Sequence, residues 1–135
     1  MFSVSKKIKY ALIAMMELAM NDQQAPVQIR EISDRHHIPH RFLERVLLEL
    51  KKSGWVVSTR GAQGGYQLAH VASAILVKDV FNALEGPICL YDSSDSGLQF
   101  FLEGLTASIN SYLTMNLSEL IHLKYQADNI PTYSI

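Results

Sequence analysis

His40, Arg41, Phe42, Glu44 and Arg45 fall within six consecutive positions, and together they could perform recognition chemistry. Arginine presents five fixed N–H donors and keeps its charge, so it suits the paired acceptors O6 and N7 of guanine. Ionised glutamate offers only acceptors and can take the N4 amine of cytosine. Phosphate repels a carboxylate, so Glu44 beside nucleic acid needs a base amine to compensate it. The ordinary alternative is a solvated helix face on which Arg41 and Arg45 pair with Glu44 or Glu49. A further arginine, Arg60, lies in the glycine-rich run Ser58-Thr59-Arg60-Gly61-Ala62-Gln63-Gly64-Gly65. An arginine at the tip of such a turn, next to Gly61, can enter a minor groove narrowed by A·T base pairs. It can also be a solvated turn charge.

These side chains need a helix and a hairpin to carry them. His40 to Ser53 reads as a helix whose buried stripe is Phe42 (or Leu43), Val46, Leu47 and Leu50. Gly54 follows as its C′ residue, and Lys51 and Lys52 suit the negative end of the dipole. Arg30 to His36 reads as a shorter helix with Ile32 inward, ended by Ile38-Pro39. Val56 to Thr59 and Tyr66 to Ala69 read as extended segments joined by the glycine turn. Short helix, tight turn, longer helix, hairpin is the order of a winged helix-turn-helix.

Upstream, Ser5 caps a helix running to about Asn21, with Ile8, Leu12, Met15 (or Met16) and Ala19 at helical spacing. Asn21-Asp22-Gln23-Gln24 and Pro26 stop it, and Pro26 to Ile29 reads as a short edge strand. Lys6, Lys7 and Lys9 could meet phosphate or form a solvated face. Downstream, a helix carrying Val77, Val80, Phe81 and Leu84 stops at Glu85-Gly86-Pro87. Residues 88–97 read as a loop. Leu98 to about Tyr125 reads as one long helix with an apolar face of Leu98, Phe101 (or Leu102), Leu105, Ile109, Tyr112 (or Leu113), then Leu117 and Leu120 (or Ile121). A chain this small has too little body to cover such a stripe, so a second copy of the same helix is the expected partner. Residues 126–135, with Pro131, read as a tail.

The expected fold is therefore mainly α with a small β-hairpin wing. It is a winged helix-turn-helix over 1–87, a sensor-type loop over 88–97 and a dimerisation helix over 98–125. The 135 residues are 48% hydrophobic and 19% charged, which allows a packed core. The net charge is −1, but it is divided unevenly. Residues 1–60 hold ten Lys and Arg against six Asp and Glu, and the remainder holds two against seven. A basic first half hints at a polyanion partner. No apolar run reaches the roughly 18 residues of a membrane span. Tyr10 to Met20 looks like a signal peptide only superficially, so the expected location is cytoplasmic. No nucleophile–base motif, phosphate loop or metal constellation suggests an enzyme.

Several segments together resemble the IscR/NsrR/CymR family of bacterial transcription regulators (the Rrf-two type). They are Lys6 to Ala14, Ile29-Arg30-Glu31-Ile32-Ser33, Phe42-Leu43-Glu44, Leu50-Lys51-Lys52-Ser53-Gly54, Arg60-Gly61 and Gly64 to Ala69, and Val80 to Ile88. The resemblance spans about residues 1–122. It implies a homodimer that crosses its long C-terminal helices and binds double-stranded DNA at a pseudo-palindromic operator, with repression as the expected mode. It also implies base contacts from Glu44, a surface shared with Arg41, Phe42 and Arg45, and minor-groove entry by Arg60.

Many members of that family hold an iron–sulfur cluster on three cysteines in the loop after the Glu-Gly-Pro-Ile match. Here the loop reads Cys89-Leu90-Tyr91-Asp92-Ser93-Ser94-Asp95-Ser96. The first family cysteine falls near Ser93, and the others have no counterpart. First-helix positions near Ile8, Lys9 and Ala11 to Ile13, where some relatives supply a ligand, offer none. Serine hydroxyl substitutes poorly for thiolate. No cofactor and no metal are therefore expected, a cluster of unusual ligation being the alternative. Cys89 is the single cysteine. It reads as a small buried hydrophobe or as a redox thiol, possible also as a disulfide between subunits. His36, His37 and His40 read as solvated or DNA-proximal side chains rather than metal ligands. A regulatory protein partner is a further expectation, since some cluster-less relatives have one.

Overall fold

The computed structural model describes residues 3–21 and 25–129. Six α-helices and one hairpin follow in order: α1 (Lys6–Met20), α2 (Ile29–His36), α3 (His40–Lys52), β1 (Val56–Thr59), β2 (Gly65–Leu68), α4 (Val77–Glu85), α5 (Gln99–Tyr112) and α6 (Leu117–Asn129). A single 3-10 turn, Ala72–Ala74, precedes α4. The strands pair antiparallel, with Val56 opposite Leu68 and Thr59 opposite Gly65.

The local signals act as chemistry requires. Ser5 Oγ accepts the Ile8 N–H and caps α1. His37 takes the left-handed conformation at φ 55° and turns the chain from α2 toward α3. Ser33 Oγ then donates to the Ile38 carbonyl inside the turn. Gly54, at φ 83°, releases the chain from α3 into β1. Asp79 accepts the Leu76 N–H at 2.9 Å and starts α4.

One apolar core joins these elements. Ile8, Ala11, Ala14, Met15 and Leu18 of α1 meet Leu43, Val46, Leu47 and Leu50 of α3, together with Ile32, Val56, Val80 and Phe81. The buried stripe of α1 is thus turned one position from the expected one, since Leu12 and Ala19 are only half-buried. On α3 the inward residue is Leu43, and Phe42 lies at the edge of the stripe. Pro26–Ile29 supplies a single bridging residue, Val27, paired with Tyr66. Asn21 ends α1, and the rest of the expected break, residues 22–24, lies outside the described residues.

The expected long helix from Leu98 to Tyr125 is corrected: it is two helices. Residues 113–116 leave the helix, and Leu113 and Leu117, at the two ends of this break, are both buried in the chain's own core. Backbone bonds hold the break in place, with Val77 N–H on Met115 O, Lys78 N–H on Leu113 O and Leu117 N–H on Ile75 O. Asn116 Oδ1 accepts the Glu119 N–H at 2.8 Å and starts α6, which folds back against α1. Residues 126–129, expected as tail, are the end of α6, where Lys124 pairs with Asp128. The remainder of that tail lies outside the described residues.

Candidate nucleic-acid interface

The core grips α3 along one side and leaves the other to solvent. His40, Arg41, Glu44 and Arg45 are all exposed. Among the described residues, neither Arg41 nor Arg45 has an ion pair. Glu49, a candidate partner for them, instead faces Lys7 of α1 at 3.1 Å. Glu44 faces His40 Nδ1 at 4.0 Å. The solvated ion-pair reading of Arg41 and Arg45 is therefore not the arrangement found. Phe42 differs from its neighbours: it is half-buried, and its ring meets Tyr10 edge-on at 5.4 Å. It holds α3 to α1 while Arg41, Glu44 and Arg45 face outward.

The hairpin stands beside this face. Arg60 and Gly61 are exposed in the turn between β1 and β2, and Gly61 has φ 108°. Gly64 N–H donates to the Gly61 carbonyl at 3.0 Å and closes the tip. Two glycines are required for space. A Cβ at Gly64 would stand 2.2 Å from the Thr59 oxygen, and one at Gly65 would stand 2.4 Å from the Val27 oxygen. Burial raises the Tyr66 phenol above its ordinary pKa, and the Glu44 carboxylate raises it further. The root of the hairpin and the exposed face of α3 are thus within electrostatic reach. Lys6 and Lys9, also exposed, lie on α1, whose Lys7 touches α3 through Glu49.

The histidine run does not converge. His36 Nε2 lies 2.7 Å from Glu17, which also binds Arg35 at 2.6 Å, whereas His40 faces Glu44. Among the described residues, no group of three or more His, Cys, Asp or Glu is placed to hold a metal ion. Cys89 is exposed, which overturns its reading as a buried hydrophobe, and its Sγ donates to the Tyr91 carbonyl at 3.3 Å. Asp92 accepts from Ser94, which holds its carboxyl below the usual range. The loop acids are thus engaged in their own turn. No helix among the described residues is long and apolar enough to cross a membrane.

Sequence reasoning missed Gln28, whose Nε2 donates to the Ala62 carbonyl in the hairpin turn at 3.1 Å. A glutamine before a helix carries no local signal of such a reach.

The family model for Rrf2, described as "Iron-dependent Transcriptional regulator", matches residues 4–120. "Protein rrf2" of Nitratidesulfovibrio vulgaris is 40% identical over 82 residues, 61% of this chain and 55% of that protein. The chain thus spans little more than half the length of that curated relative. The solved structure of T. potens IscR is 32% identical with a TM-score of 0.79, covering 98% of this chain and 95% of that one. CymR (YrzC), the global cysteine regulator of B. subtilis, is 29% identical with a TM-score of 0.77, covering 89% of this chain and 96% of that one.

Proposed function

The chain belongs to the Rrf2 family of transcriptional regulators, and from that premise we propose a homodimeric, sequence-specific DNA-binding repressor that works without an iron–sulfur cluster. The carrying observation is the exposed face of α3, with Arg41 and Arg45 free of ion pairs among the described residues, beside the arginine-tipped hairpin. In this reading the start of α3 enters the major groove. Arg41 and Arg45 bond purine edges, Glu44 accepts a cytosine amine, and Arg60 enters the adjacent minor groove. Lys6 and His40 supply contacts at the rim, and Phe42 fixes the helix that carries the others. The cytoplasm is the proposed location.

Iron–sulfur clusters need several thiolates or equivalent ligands. The single exposed Cys89, with no second cysteine in the chain, does not provide such a set. The donors present do not fit the group. The exposed stripe of α5 supports the dimer: Leu98, Phe101 and Tyr112 are each more than half exposed and recur on one face of the helix.

Alanine at Arg45 and at Arg60, titrated against a selected operator, tests the contacts. Each substitution is expected to weaken specific binding by about 1–3 kcal/mol. Unchanged binding in both variants would overturn the assignment. Anaerobic purification tests the cluster-free state. Colourless protein is expected, and stoichiometric iron and sulfide would overturn it.

A further inference from the structure

The hairpin is fastened to the segment before α2 by more than its own turn. Val27 and Tyr66 exchange both backbone bonds, at 2.9 and 2.8 Å. Beyond that bridge, the tip is a two-stranded ribbon, an arrangement that is only marginally stable alone. Gln28, the next residue, reaches the tip itself through the bond to the Ala62 carbonyl. Gln28 occupies the N-cap position of α2, yet its side chain makes no capping bond. Its amide is committed instead to the loop that carries Arg60.

We propose that Gln28 is a positioning residue for DNA recognition, holding the hairpin tip so that Arg60 is presented at a set distance from the exposed face of α3. This rests on the reading of Arg60 as a DNA contact. The Gln28 side chain is exposed, so water competes with the bond in the free protein. When DNA covers the hairpin, that water leaves and the bond strengthens in the lower local dielectric. Gln28 thereby sets the spacing between bases read in the major groove and the A·T-rich flank read in the minor groove. It does so without touching a base.

A double-mutant cycle of Gln28→Met and Arg60→Ala tests this on two probes: one selected operator, and the same operator with G·C pairs in its flank. Methionine keeps the length of glutamine and removes the donor. Gln28→Met is expected to weaken binding to the parent operator by about three- to ten-fold, the range of one neutral hydrogen bond. In the Arg60→Ala background it is expected to add nothing, and it should erode the preference for the A·T flank. Additive losses, or an equal loss on both operators, would mean that Gln28 acts independently of Arg60 and would overturn the proposal. If Arg60→Ala weakens binding and Gln28→Met does not, the positioning role alone falls. If Arg60→Ala is silent, the reading of the hairpin contact falls and takes the positioning role with it.

Discussion

At the scale of the residue, what matters is which charges are already spent. Lys7 is paired with Glu49 and Arg35 with Glu17, whereas Arg41 and Arg45 have no such partner among the described residues. An exposed pair contributes only about 0–1 kcal/mol, so Lys7–Glu49 does little to hold α1 on α3. Free arginines are better placed to bind than to stabilise. Glu44→Ala should therefore relax base discrimination while strengthening binding to unrelated DNA, read by competition titrations. Lys6→Ala should instead weaken binding to all sequences alike and reduce the salt slope by about 1. The nearness of Glu44 and Tyr66 gives a second check. Both burial and the carboxylate favour the neutral phenol in the folded state. That stabilisation is present below the ordinary tyrosine pKa and is lost as pH rises through the raised one. Glu44→Gln should lower the Tyr66 transition, observed by NMR of labelled tyrosine. The arginines and Glu44 were legible in the sequence because helical spacing and glycine turns are local signals. The Gln28–Ala62 bond and the Tyr66–Glu44 proximity join residues far apart in the chain, and no local pattern encodes them.

At the scale of the element, the helix-turn-helix and hairpin were readable and the C-terminal helices were not. Asn116-Leu117-Ser118-Glu119 has the form of a capping box, a legible start signal for α6. The apolar pattern running past it reads as one continuous helix. Periodicity shows that residues are buried, but not whether each is buried by its own chain or by another. Leu113 and Leu117 belong to the chain's own core, whereas Leu98, Phe101 and Tyr112 do not. Asn116→Ala should cost about 1 kcal/mol of stability, seen in a thermal or denaturant melt. It should leave the isolated-protomer affinity for half-site DNA unchanged. The hairpin is constrained differently, by the close approach of Gly65 to Val27. Gly65→Ala should separate the hairpin from the segment before α2 and impair DNA binding more than stability, measured by titration and melting together.

At the scale of the whole molecule, the charge division and the exposed apolar stripe mark two surfaces. The basic half, residues 1–60, contains α3 and Arg60 of the hairpin turn, and the stripe of α5 lies in the acidic remainder. Two copies joined along α5 would place two reading heads on one duplex, the geometry that a pseudo-palindrome matches. Phe101→Glu should yield a monomer by sedimentation and lower the affinity for a full operator far more than for a half-site. The most direct test of a cluster-free, sequence-specific regulator is selection of genomic DNA by the purified, metal-free protein, followed by titration of the enriched fragments at several salt concentrations. Recovery of one pseudo-palindromic motif, bound tightly without iron, is the expected result. Binding that is sequence-blind and vanishes with salt, or that becomes specific only after cluster loading, would contradict it.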